Sequence, residues 1–176
     1  MRRGAVVGVL VETASIADAA EIARVHVETW RAAYRGIMSS EFLAGLDVAT
    51  REEQWRNWIE LPERRTLIAK QGGALLGFCL TGPARDPDAN DATFEIYALN
   101  VGEAHWRSGC GRALLERAID DAADDGAAQL TLWVLEQNQR ARLFYEKLGF
   151  SPDGVSKIVQ MGGVPLNELR YRRKLA

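Results

Sequence analysis

The period of the apolar positions changes several times along the chain, and each change marks an element. Ile16, Ala19, Ala20, Ala23, Val27, Trp30 and Tyr34 recur three or four residues apart, the spacing of a helix that buries one stripe. Ser15 followed by Asp18 predicts its N-terminal cap, and Gly36 ends or bends it. A second helix is expected from Thr50, where Thr50 and Glu53 form a capping box ahead of Trp55, Trp58 and Ile59; Pro62 closes it. The runs "TLIAK" and "ALLGFCLTG" flank "QGG" and read as an antiparallel hairpin. "PARDPDAND" (83–91) is a loop, and "ATFEIYALNV" (92–101) a strand. Strict alternation there puts Glu95, Tyr97, Leu99 and Val101 on one face and Phe94, Ile96, Ala98 and Asn100 on the other.

Further on, Leu114, Leu115, Ala118, Ile119 and Ala122 make the stripe of a helix that ends near Gly126. "QLTLWVL" (129–135) is a buried strand, and "NQRARLFYEKLGF" holds a shorter helix stopped by Gly149. The rest alternates weakly, as two closing strands around a glycine turn. With no repeat, low-complexity tract or linker, residues 1–176 read as one domain of mixed α and β structure.

Composition narrows the function classes. Of 176 residues, 47% are hydrophobic and 26% charged, and the formal net charge of −2 lacks the basic excess of a dedicated nucleic-acid binder. "RYRRK" (170–174) is a short cationic strand or tail of the kind that usually faces solvent. Cys79 lies in an apolar run and Cys110 between two glycines, so neither fits a metal-ligand or disulfide spacing. "MRRGAVVGVLV" is too short and too soon acidic for a membrane span, and it has no cleavage site. It reads as a first strand, and the expectation is a cytoplasmic protein with no membrane or nucleic-acid partner and no metal.

The chemistry concentrates at "HWRSGCGRALLERAIDDA" (105–122), where Gly109 and Gly111 stand directly before a helix. A helix N-terminus offers unpaired N–H groups and the positive end of the helix dipole, and glycines let a phosphate approach the main chain. A P-loop needs Lys and Ser or Thr after its last glycine, but Gly111 is followed by Arg112 and Ala113. A dinucleotide fingerprint needs a third glycine and a placed acidic residue, both missing.

The segments "EIYALNVGEAHWRSGCGRALLERA" and "NQRARLFYEKLGF", separated by one strand, resemble the GNAT superfamily of acyl-CoA-dependent N-acetyltransferases. "HVETWRAAYRGIMSSEFLAGL" is also similar to many members, so the resemblance covers most of the chain. It implies the GNAT fold: a mostly antiparallel twisted sheet with one splayed parallel strand pair, flanked by helices. It also implies acetyl-CoA as co-substrate, with pantetheine along the backbone of Leu99, Asn100 and Val101. The diphosphate would rest on the N–H groups of Arg107, Ser108, Gly109, Cys110, Gly111 and Arg112, with the Asn138 amide on the other wall. One departure stands out: the family's usual Gln or Arg at the first loop position is Trp106 here, so contacts from that side chain are not carried over.

What the resemblance implies chemically is direct transfer of an acetyl group, in a ternary complex, to a primary amine of a small molecule, peptide or protein. Tyr145 occupies the family's acid position and would protonate the departing thiolate. Glu95, on the strand leading to the cofactor, is the candidate base, directly or through water. His26 and His105 read as structural. Trp30 and Tyr34 would line the acceptor side. Cys110 sits where a diphosphate would raise its pKa, which argues against a covalent route. The alternative to an enzyme is a non-catalytic acyl-CoA binding or sensing module, and a homodimer through the last strands stays open.

Overall fold

A computed structural model describes residues 8–175. Seven strands, β1 (Leu10–Thr13), β2 (Arg65–Gln71), β3 (Ala74–Pro83), β4 (Thr93–Val101), β5 (Gln129–Leu135), β6 (Ser151–Met161) and β7 (Val164–Lys174), form one sheet. Their order is β1-β2-β3-β4-β5-β7-β6, and β4 with β5 is the parallel pair. The expected first strand is β1; its residues before Gly8 lie outside the described part of the chain.

Helices α1 (Ala19–Ala33), α2 (Ser40–Ala44) and α3 (Val48–Ile59) precede β2; α4 (Cys110–Asp124) and α5 (Gln139–Lys147) flank β5 in sequence. α1 and α3 cover one face of the sheet, burying Ile22, Ala23, Val25 and Trp55 against Ile68, Phe78 and Leu80. α4 and α5 cover the other, where Leu114, Leu115, Ala118 and Ile119 meet Ile96, Leu130 and Leu132. Two helices differ from the sequence reading at their starts. A single 3-10 turn, Ile16–Asp18, comes before α1, so Ile16 and Ala20 stay exposed while Ile22, Val25 and His26 fill the buried face. α3 begins at Val48, because Asp47 accepts from the Thr50 N–H at 2.6 Å and caps it ahead of the predicted box. α2 is an added turn of helix, capped by Ser39 accepting from the Phe42 N–H.

The β2–β3 hairpin turns at Gly72 and Gly73, both with positive φ, as does the β6–β7 hairpin at Gly162 and Gly163. β4 departs from strict alternation. Leu80 faces Ala98 but Thr81 faces Ile96, so Tyr97 is the extra residue of a β-bulge. Phe94 and Ile96 therefore share the α4–α5 face with Leu99 and Val101, and Tyr97 and Ala98 look toward α1 and α3. Tyr97 is held there by its hydroxyl, which donates to the Pro83 carbonyl at 2.5 Å, and its ring passes so near Gly82 that a Cβ would lie 2.7 Å from the hydroxyl.

Candidate functional site

The bulge has a direct consequence for the parallel pair. β4 and β5 are in register from Thr93 opposite Gln129 to Ile96 opposite Leu132, and pairing stops there, one residue before Tyr97. Both strands run on, to Val101 and Leu135, so the sheet opens between them. A bulge raises local twist, and twist turns the end of β4 away from its parallel neighbour.

Backbone parity tells which groups line the opening. Gly102 donates to the Leu76 carbonyl at 2.9 Å, which makes Gly102 and Leu76 a hydrogen-bonded pair of the β3–β4 ladder. Counting back by twos, Asn100 is bonded to Phe78, and Leu99 and Val101 turn their N–H and C=O groups away from β3 into the opening. Of the three consecutive residues read from sequence, Leu99 and Val101 thus present backbone to the cleft and Asn100 does not.

Past Val101 comes a 3-10 turn, Glu103–His105, and then the loop into α4. Arg107, with φ 65°, is the non-glycine residue with positive φ among the described residues, and Gly109 follows with φ 90°. Left-handed residues alternating with ordinary ones gather successive N–H groups on one side, as in an anion-binding nest. Among the described residues the N–H groups of Arg107, Gly109, Gly111 and Arg112 have no partner, whereas Ser108 donates to the His105 carbonyl and Cys110 to the Ser108 hydroxyl, both at 3.3 Å. These free donors coincide with the positive end of the α4 dipole. Arg107 and Arg112 are exposed beside them. The Cys110 thiol is buried, and burial pushes it up to about 11, so it is protonated.

Trp106 takes a place that sequence reasoning left blank. Its indole N–H donates to the Val101 carbonyl at 2.7 Å, and the Arg140 guanidinium stacks 3.2 Å from its ring centroid. Arg140 is on the first turn of α5, so the stack spans the opening from the loop to the far wall. On that wall Asn138 caps α5 by accepting from the Ala141 N–H at 3.2 Å, which leaves its side-chain NH2 free to donate.

Tyr145, on the buried face of α5, lies among Phe144, Phe150 and Cys79. Its hydroxyl has no hydrogen-bond partner among the described residues. Burial raises its pKa well above the ordinary phenol range, with further upward pushes from Cys79 and Tyr34, so it holds its proton at all ordinary pH values. Tyr34 follows α1; burial and the charge of Glu168 push its phenol up to about 12, against a smaller opposite pull from Arg140. Trp30 and Tyr34 meet edge to face at 5.1 Å and join an apolar cluster with Met38, Leu43, Leu135 and Leu166, where α1 and α2 roof the end of β5 and β7.

Glu95 is 2% exposed. Both of its oxygens are engaged by Arg85: Oε2 accepts from the Arg85 backbone N–H and Nε at 3.1 Å each, and Oε1 from a terminal NH2 at 2.5 Å. The same guanidinium lies over the Tyr97 ring at 4.3 Å, so the pair ties the loop after β3 onto the bulge. His26 is buried in the core between Trp55, Trp30 and Phe78, and His105 lies in the turn before the loop. Among the described residues no group of three or more His, Cys, Asp or Glu side chains is placed to hold a metal ion, and no helix is long and apolar enough to cross a membrane.

Comparison with known proteins gives the same picture at family level. Residues 26–150 match the "Acetyltransferase (GNAT) family". An uncharacterized N-acetyltransferase of Bacillus subtilis, YuaI, is 31% identical over 92% of this chain and 90% of its own length. Among solved structures, the PaiA N-acetyltransferase of Thermoplasma acidophilum in complex with coenzyme A superposes with a TM-score of 0.74 at 22% identity, over 94% of this chain and 98% of that one. YncA of Salmonella typhimurium, a putative acetyltransferase with its cofactor acetyl-CoA, gives 0.73 at 23% identity, over 96% and 94%.

Proposed function

The chain belongs to the acetyltransferase (GNAT) family, and from that premise we propose that it acts as one N-acetyltransferase domain, moving an acetyl group from acetyl-CoA to the primary amine of a small molecule, peptide or protein. The observation that carries this reading is the alignment of two features. One is the set of free N–H groups at Arg107, Gly109, Gly111 and Arg112; the other is the Leu99 backbone and the Val101 N–H, which β5 leaves unpaired along the opening that leads to it. A diphosphate followed by an extended amide-bearing arm fits that sequence of donors and acceptors, the arm adding to the β4 edge as a strand would. Asn138 would bond the arm from the opposite wall through its free NH2.

Acetyl-CoA supplies an activated thioester whose carbonyl carbon accepts the amine. The chain's residues supply position and protons. A backbone N–H of Leu99 or Val101 donates to the carbonyl oxygen as negative charge develops there, an arrangement fixed in advance by the sheet. Tyr145, kept neutral by burial, gives its proton to the departing sulfur. Direct attack needs no protein nucleophile, and the buried, protonated Cys110 does not offer one. Glu95 would have to release Arg85 before taking a proton, so we assign it to holding the loop and bulge in place. Trp30 and Tyr34 face the acceptor.

The test is a panel of amines with acetyl-CoA, read by release of the CoA thiol. Release with at least one amine, dependent on Tyr145, supports the reading. Binding of acetyl-CoA without release from any amine would make the chain a non-catalytic acyl-CoA module instead.

A further inference from the structure

With Glu95 sequestered, the amine's proton needs another destination on the acceptor side of the sheet. That side at the end of β5 is the one roofed by Trp30 and Tyr34. Glu168 on β7 pairs with Leu135, and cross-strand partners present their side chains to the same face. Leu135 and Leu166, two residues before Glu168 on that face, both pack against the cluster that contains Tyr34. The Glu168 side chain is 16% exposed. It therefore lies beneath Tyr34, beyond the point where β4 and β5 part.

Its partners set it apart from the other acids on this face. Glu168 has one ionic contact, to Lys157 on β6 at 3.5 Å, and that lysine also lies over the Trp133 ring at 3.7 Å. No hydrogen bond to the Glu168 carboxylate is present among the described residues. Asp86, Asp88 and Asp153 are instead gripped by Arg170, which faces the same way from β7, with Arg172 adding to Asp88 and Asp153. Among the described residues, the charged and titratable groups around Glu168 are Lys157 from β6, Arg170 on its own strand, the neutral Tyr34 phenol just past α1 and, acting on that same phenol, Arg140 from α5; β5 contributes Leu135 and Trp133.

We infer that Glu168 is the residue that takes the proton from the acceptor's ammonium group. The inference rests on the acetyltransferase reading above. Glu168 accepts one proton from the ammonium, freeing the nitrogen lone pair. The C–N bond then forms as the C–S bond breaks, Tyr145 protonates the sulfur, and the second proton lost by the nitrogen restores the Tyr145 phenol. The first proton leaves Glu168 for solvent. Lys157 stands 3.5 Å from one carboxylate oxygen and leaves the other uncovered.

The experiment compares two acceptor types in the full chain: an alkyl amine, charged near neutral pH, and an aryl amine or hydrazide, already neutral there. Glu168→Gln is expected to lower turnover of the alkyl amine about 100-fold, the range of a general base, and that of the neutral acceptor about threefold or less. Glu168→Asp should recover part of the alkyl-amine rate. Lys157→Met, which removes the ion pair and the cation over the Trp133 ring, should keep turnover within about threefold. Thermal stabilisation by acetyl-CoA, unchanged in Glu168→Gln, confirms that the cofactor still loads. An equal loss with both acceptors, or full alkyl-amine turnover in Glu168→Gln, overturns the assignment. A wild-type chain that releases no CoA thiol with any amine overturns the underlying reading, a result distinct from both.

Discussion

The Trp106 indole N–H donates to the Val101 carbonyl at 2.7 Å, linking the loop before α4 to the last residue of the opened strand. The bond fixes the start of the loop whose later N–H groups are free, and the same indole supports Arg140. Replacing Trp106 by Phe keeps an aromatic ring but deletes the donor. A neutral hydrogen bond contributes about 1 kcal/mol, so the expected result is about fivefold weaker acetyl-CoA binding by calorimetry with kcat nearly unchanged. Unaltered affinity would mean that the loop holds its shape without this bond.

Tyr145→Phe removes one oxygen from a site where the ring itself packs against Phe144 and Phe150. The packing survives and the acid does not. Turnover should fall about 100-fold while acetyl-CoA affinity stays within about twofold. Because burial holds this phenol protonated beyond the ordinary range, the wild-type rate should not fall through Tyr145 ionisation up to about pH 10. An alkaline limb that vanishes in Tyr145→Phe would contradict that.

How much of this was legible in the sequence depends on how local each cause is. α4, β5 and the positive-φ turns are signalled by residues within a few positions of one another, and they lie where the period and the glycines put them. The start of α3 moved because Asp47, three residues before Thr50, accepts from the Thr50 N–H and takes the cap itself. The alternation in β4 failed past Tyr97 for a non-local reason: the extra residue is settled by the β3 register and by Arg64, Arg85 and Pro83 around its ring. The family resemblance of "NQRARLFYEKLGF" sufficed to name Tyr145 and Asn138 as candidates. Nothing near Trp106 announces Arg140, and nothing near Glu168 announces Tyr34; those meetings exist only once the chain is folded.

Arg85 and Glu95 provide a separation between structure and chemistry. Arg85→Ala leaves a nearly buried carboxylate with one backbone donor, at a cost of about 1–3 kcal/mol, lessened because the exposed guanidinium's place is open to water. Glu95→Gln retains shape and some hydrogen bonding. It should lower the unfolding midpoint yet keep the acidic limb of the pH–rate profile. Loss of that limb in Glu95→Gln would make Glu95 the base and displace the structural role given to it here.

His26 makes stability depend on acid. It is 5% exposed, and its Nδ1 accepts from the Trp55 indole at 3.1 Å, which requires a neutral ring. Burial, and secondly the charge of Arg51, lower its pKa to about 3. In the unfolded chain a histidine takes up a proton near pH ~6.5, so the folded state is disfavoured as pH falls from there toward 3. The contribution is fully present above ~6.5 and is lost by about 1.4 kcal/mol per pH unit within the window. Denaturant unfolding between about pH 7 and 4 should show a shallower decline in His26→Gln, whose amide oxygen still accepts from Trp55. Parallel declines would acquit His26.

The two glycines of the loop should respond differently to the same added methyl group. Gly109 is the N-cap of α4 with φ 90°, a conformation that costs an L-residue about 1–2 kcal/mol, and relaxing it would swing the free N–H groups on either side out of line. Gly111 lies inside the first turn without a positive φ, and a Cβ there would meet Val101 and Phe144 at 3.5 Å, ordinary contact. Gly109→Ala is therefore expected to lower stability by about 1–2 kcal/mol and to weaken acetyl-CoA binding about tenfold or more. Gly111→Ala should fold normally and bind within about threefold, since the helix gains a better former than glycine. Thermal melts with and without acetyl-CoA separate the effects, because strain lowers both melts equally whereas a disordered nest shrinks the gap between them. If Gly109→Ala lost stability but kept the full gap, the free N–H groups would not be what holds the diphosphate.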